Sequence, residues 1–179
     1  AHHGCISGFL HILEILSISK QMQHVPSQHL FITDQSSPAC FQQFLINFAE
    51  ILYKAGYKSA YFWCEQESAC HGIYGEEIWH HYLKRLSQRG WGFFITEELD
   101  IEKGTAKVRL ENSAFVYHYE KIHGKKVNRK VDYMFTGWFA GALDQIAESN
   151  GLEIRTKAIQ TQSAAEDGCD VGYFQVSPL

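Results

Sequence analysis

Cys64, Cys70 and His71 are the most tempting signal in the chain for a metal ion or redox chemistry. Zinc sites of the usual kind pair their cysteines closely and gather four ligands. Five residues separate Cys64 from Cys70, and no second pair follows. Cys64 therefore reads as a small core hydrophobe, with a ligand role for Cys64, Cys70 and His71 as the alternative. His80 and His81 are adjacent on an amphipathic segment. Neighbouring helical residues point roughly a hundred degrees apart, so the pair is expected at the surface, bonded to Glu76 or Glu77, and not on one ion. Asp132, Glu111 and His118 could orient a polar ligand; Asp132 equally suits the N-terminal dipole of the helix that follows it. Nucleophile-elbow, His-Glu zinc and dinucleotide motifs are all missing. No catalytic residue, metal ligand or cofactor site can be named, and an enzyme is not the favoured class.

The aromatic residues are the other candidates. Trp63, Trp91, Phe93 and Phe115, with Tyr117, Tyr133 and Trp138, are plentiful for one domain. They can fill an ordinary core, or they can wall a ligand pocket between sheet and helix. The ligand-binding prediction names these seven.

The bulk properties narrow the class. The chain has 179 residues, 45% of them apolar and 14% aromatic, enough for one core. A net charge of −4, with both signs mixed along the chain, disfavours nucleic acid as a partner. Five cysteines, an odd number at irregular spacing, suit free thiols in a reducing cytoplasm better than a disulfide framework. The apolar run Ile6 to Ile18 is interrupted by His11 and Glu14 and is too short to span a bilayer, so no membrane association is expected.

The elements that would position these residues follow from periodicity. Short strands are expected within 8–33. Ser37-Pro38 marks a helix start. Phe41, Phe44, Leu45, Phe48, Ile51, Leu52 and Ala55 then recur at helical spacing. Gly56 would end or kink this helix, and 57–68 can continue it. A second helix runs from near Tyr74 to Gly90. Alternating residues predict strands around 91–96, 106–110 and 115–119, followed by a basic loop over 121–130. Residues 131–149 form the clearest helix, stopped by Asn150-Gly151. Strands over 152–161 and 171–177 flank an acidic loop, 163–170. Grouped strands argue for an α+β fold, with an antiparallel sheet packed against helices in a single domain. The expected division is an N-terminal extension, 1–21, and a domain, 22–179.

The C-terminal third carries Gly137-Trp138-Phe139-Ala140-Gly141-Ala142 on a helix, then Gly172-Tyr173-Phe174-Gln175-Val176 on a strand. This pattern resembles the 4-vinyl reductase-type small-molecule-binding domain, whose fold is similar to the Bet-type subunits of the TRAPP tethering complexes. The stretches 51–60, 81–92 and 131–142 are similar to an uncharacterised proteobacterial branch of that superfamily, encoded beside dimethylglycine-demethylation genes of glycine betaine breakdown. The resemblance implies an α+β fold, often dimeric, with an internal pocket. Zinc-binding members use three cysteines and a glutamate. The matching positions here fall at or near Ala140, Ala164, Gly172 and Thr161, and Cys169 stands close by alone, so a zinc site of that kind is not expected.

The resulting expectation is a cytoplasmic, homodimeric sensor or carrier of a small metabolite, with methylated glycines as the leading ligands. An aromatic cage would recognise a methylated ammonium through cation–π attraction. The alternatives are an accessory subunit of a demethylating oxidoreductase, and a reductase with an unidentified cofactor.

Overall fold

The computed structural model describes residues 38–124 and 130–179, with side chains from residue 47 onward except that of His123. By its contacts the chain divides into residues 1–47 and 48–179. Of the first unit only the helical stretch 38–47 is described. The strands expected within 8–33, the capping role of Ser37 and the boundary at residue 21 all lie outside the described residues.

Helix α1 spans Pro38–His71. Gly56 does not interrupt it, although glycine inside a helix costs about 1 kcal/mol relative to alanine. The reason is packing. Gly56 lies against the backbone of Met134, and Gly137 and Gly141 lie against the backbone of Tyr53 and Tyr57, where a β-carbon would collide. Gly72, at φ 66°, ends the helix in the left-handed conformation and donates its N–H to Ser68 O at 2.8 Å. Helix α2, Glu76–Gln88, buries Ile78, Trp79, Tyr82, Leu83 and Leu86 and turns its charges outward.

Strands β1 (Phe93–Asp100), β2 (Thr105–Glu111), β3 (Thr156–Gln162) and β4 (Val171–Pro178) form one sheet in the order β1-β2-β4-β3. All three pairings are antiparallel, so the expected α+β class with an antiparallel sheet holds. Register shifts at Thr96/Glu98 in β1 and at Gln160/Gln162 in β3 place one irregularity in each edge strand. The inner face presents Phe94, Val108, Leu110, Phe174 and Val176. The outer face carries ion pairs from Glu97 to Lys107 and Arg109, and from Arg109 to Glu111.

Helix α4, Tyr133–Ser149, lies between this sheet and α1 and is buried on nearly every side, as its near-continuous apolar run over 133–143 requires. Phe139 meets Phe174 of the sheet at 5.1 Å between ring centroids. Asp144 of α4 accepts Tyr57 O–H at 2.7 Å from α1, and Thr156 N–H and Oγ1–H at 2.8 and 2.7 Å from β3. Trp79 Nε1 donates to Thr96 Oγ1 at 2.9 Å, which ties α2 to β1.

One element differs from expectation. Residues 115–119 are not a third strand; they lie in helix α3, Ala114–His123. Asn112 takes a left-handed φ of 55°, which turns the chain out of β2. Ser113 then caps the helix by accepting Val116 N–H at 3.3 Å. Lys121–His123, expected in a loop, close α3 ahead of Gly124. The loop 163–170 holds one short helix, α5 (Ala164–Asp167), capped by Ser163.

Candidate functional site

The turn after β2, α3, the start of α4 and the α5–β4 connection enclose a cleft of about 370 Å³. At its base lies Asp132, 0% exposed, just ahead of α4. The carboxylate makes no side-chain cap to its own helix. It accepts Ser113 Oγ–H at 2.6 Å on Oδ1 and Gln160 Nε2–H at 3.1 Å on Oδ2. Three segments distant in sequence thus meet on one acid. Burial pushes the Asp132 carboxyl above its ordinary range, while the bonds from Ser113 and Gln160 pull the other way. Tyr117, His118 and Glu120 of α3 rim one side of the cleft, Cys169 and Asp170 the other. Cys169 Sγ accepts Gln162 Nε2–H at 3.1 Å. The Tyr117 ring carries the Lys121 ammonium 4.7 Å from its centroid, within cation–π range.

The raised carboxyl sets a pH dependence with a definite sign. A folded-state value above the unfolded one means stability that is complete below the ordinary 3.8 and is lost as pH rises through the higher folded value. Asp132→Asn cannot ionise. The melting temperature of the parent relative to Asp132→Asn is therefore expected to fall as pH rises from about 3.5 toward neutrality. A constant difference across that range would show that Asp132 titrates alike in both states.

The seven aromatic candidates do not share one site. Trp91 lies 5.6 Å from Phe115 and 5.5 Å from Trp138 between ring centroids. Phe135 joins them at 5.0 Å from both Phe115 and Trp138. These rings pack on one another. Within them the buried Trp138 Nε1–H has no hydrogen-bond partner among the described residues. Trp63 stacks on His81 at 5.6 Å and meets Tyr82 at 5.0 Å, on the α1–α2 side. Phe93 is 54% exposed at the start of β1, and Tyr133 is half-buried at the start of α4. Of the seven, Tyr117 lines the Asp132 cleft.

The histidines pair differently from expectation. His81 Nε2 lies 3.1 Å and His71 Nε2 3.3 Å from the same oxygen, Glu67 Oε2. That carboxylate belongs to α1, so the shared contact joins the end of α1 to α2, and neither Glu76 nor Glu77 is used for it. A second cleft, of about 530 Å³, opens beside His71, His80 and His81. Cys64 is buried and Cys70 exposed; burial pushes the Cys64 thiol far above its usual range. Among the described residues, no group of three or more His, Cys, Asp or Glu side chains is placed to hold a metal ion. No described helix is long and apolar enough to cross a membrane.

Ser113 and Gln160 escaped the sequence reading. Asn112-Ser113 ahead of an apolar run was the available signal for Ser113. For Gln160 it was a polar side chain at an inward strand position, between buried Ala158 and the turn.

A family described as a domain of unknown function (DUF5943) matches residues 18–97. No curated protein matches. Among solved structures, the chain is similar to the phenol-responsive sensory domain of the transcription activator PoxR, with phenol, at 11% identity and a TM-score of 0.60. That match covers 73% of this chain and 64% of the other, so the chain spans just under two thirds of the sensory domain's length. A trafficking protein particle complex subunit 3 from Naegleria fowleri, covalently bound to palmitic acid, is similar at 11% identity and a TM-score of 0.52, over 98% of this chain and 97% of that one. A vinyl-4-reductase family protein from Methanocaldococcus jannaschii is 14% identical with a TM-score of 0.49, over 100% and 98% of the two chains. At such identities the likeness concerns architecture alone, and the chain shares the α+β fold of the sensory domain and the trafficking subunit.

Proposed function

We propose that this chain is a small-molecule-binding domain, a sensor or carrier, and that its ligand occupies the Asp132 cleft. The carrying observation is a fully buried carboxylate, held by Ser113 and Gln160, at the base of a cleft of about 370 Å³. Such a volume falls within the usual range for small-ligand pockets. The fold's likeness to a phenol-responsive sensory domain supports the same reading.

The chemistry of the lining bears on the ligand. Asp132 accepts hydrogen bonds, and Tyr117 presents a ring face that already takes an ammonium from Lys121. Methylated glycines, suggested by the resemblance to a branch encoded beside dimethylglycine-demethylation genes, therefore stay first among compounds to test. A full cage needs a second ring face; beside Tyr117 the cleft offers the His118 imidazole, 5.4 Å away and edge-on. Glycine betaine, dimethylglycine, sarcosine and simple phenols should be compared by thermal shift and titration calorimetry. A ligand at a hundred times its Kd raises stability by about 2.7 kcal/mol. Tyr117→Ala and Asp132→Asn are each expected to weaken the best compound about tenfold or more. A compound that binds both variants as tightly as the parent would place the ligand elsewhere.

A second reading, as a subunit of a homodimer or of an oxidoreductase assembly, draws on α1. Phe48, Ile51 and Phe62 fall on one side of that helix and are 50%, 62% and 55% exposed. Light scattering on the eluted protein separates the two cases, since a monomer mass leaves the homodimer without support.

A further inference from the structure

The walls of the Asp132 cleft are anchored unequally. Helix α4 is buried along almost its whole length. Helix α3 buries only Val116 among its described residues. Val116 sits in a small apolar cluster with Ala164, Ala165 and Val131, separate from the main core. Phe115, half-buried against Trp91, and the bond from Ala114 N–H to Trp91 O at 3.0 Å hold its first turn. Both flanks carry backbone in the left-handed region, Asn112 at φ 55° and Gly124 at φ 82°. Among the described residues, no atom lies within 4 Å of where a β-carbon on Gly124 would stand.

One hydroxyl joins this helix to the base of the cleft. Ser113 Oγ accepts Val116 N–H at 3.3 Å, capping α3, and donates to Asp132 Oδ1 at 2.6 Å. A serine hydroxyl has a single proton. While Asp132 takes it, the oxygen is oriented with its lone pairs toward the helix. A ligand that donates to Asp132 Oδ1 in place of Ser113 takes over that acceptor and frees the hydroxyl to turn.

We infer that α3 is a hinged wall, latched by the Ser113–Asp132 hydrogen bond, and that a ligand in the cleft is reported outward by release of that latch. The second half of this statement rests on the ligand reading above; the latch itself does not. The signal would leave through the outer side of α3, where Ile122 is 70% exposed. A branched aliphatic side chain displaced with the helix is a readable change for a partner.

Hydrogen exchange followed by mass spectrometry on the full chain, without ligand, tests the latch. Amides of α3 are expected to exchange about a hundredfold faster than those of α4, because opening α3 exposes little core. Ser113→Ala and Asp132→Ala should each speed α3 exchange by about fivefold, the usual worth of a cap, and leave β1 and β2 unchanged. Ser113→Thr, which keeps the hydroxyl, should restore the parent rate. Equal protection of α3 and α4, or acceleration spread evenly over the domain in both alanine variants, would overturn the latch. If the latch behaves as stated but no compound shifts the melting temperature, the ligand reading falls and the hinge stands. If a compound binds in the cleft and α3 exchange does not change, the hinge is not a reporter.

Discussion

Gly141→Ala is expected to lower stability by about 3 kcal/mol or more, and Gly137→Ala by a similar amount. The sign is the informative part. On an exposed helix the same change stabilises by up to about 1 kcal/mol, because glycine is the poorer helix former. Here a β-carbon on Gly141 would fall on the carbonyl of Tyr57, and one on Gly137 on the carbonyl of Tyr53. Both obstacles are main-chain atoms of α1. No rotamer change relieves them, so the helices must separate along a crossing that Gly56 also makes close from the other side. For a domain of this size the loss corresponds to a fall in Tm of roughly 6–12 °C. Thermal or urea unfolding measures it directly. An unchanged or higher melting point would mean that α1 and α4 do not approach as closely as described.

Asp144→Ala should cost about 3–5 kcal/mol, the scale expected when buried partners of a charged group are left unpaired. Asp144 is 1% exposed and joins three elements. Removing it strands the buried Thr156 N–H, leaves the Thr156 hydroxyl only the Ala140 carbonyl at 3.5 Å, and takes the acceptor from the half-buried Tyr57 hydroxyl. Asp144→Asn keeps an oxygen for Thr156 and should cost less, about 1–2 kcal/mol. Tyr57→Phe removes one charge-assisted bond and should cost about 1.5–3 kcal/mol. The Tyr57 proton is held firmly, since burial and the Asp144 bond both push its pKa far above the usual range. A double-mutant cycle between Tyr57→Phe and Asp144→Ala should show strong coupling. Additive losses would mean that the two side chains stabilise the fold independently.

Local sequence pattern disclosed most of the frame. Apolar residues at three- and four-residue spacing located α1, α2 and α4, and alternation located β1 and β2. The same alternation failed for Phe115, Tyr117 and Tyr119. A five-residue run satisfies a strand pattern and half a helical stripe equally well. What decided the outcome was the left-handed Asn112 and the Ser113 cap, a backbone feature and a single hydrogen bond. The cleft was less legible for a related reason. Ser113 and Gln160 reach Asp132 across 19 and 28 residues of sequence, and no periodicity encodes such a meeting. Composition showed an aromatic surplus but not its use. Trp91, Phe115 and Trp138 satisfy one another ring to ring, as large aromatics in a core readily do. His81 found Glu67 on another helix instead of a neighbour on its own.

The two register shifts noted in the sheet have a consequence for how the protein behaves in a crowded solution. They fall in β1 and β3, the two strands that, among the described residues, each leave one side unpaired in the β1-β2-β4-β3 order. An edge strand with unbroken pleat invites a second molecule to add its own strand and so begin a growing stack. A bulge disrupts the ladder and bends the strand, so the next chain meets a mismatched row of donors and acceptors. Thr96/Glu98 and Gln160/Gln162 place such a mismatch on both open sides, and the charges of Glu97 and Glu98 reinforce it on β1. Each open side of the described sheet is thereby a poor template for a strand from another molecule.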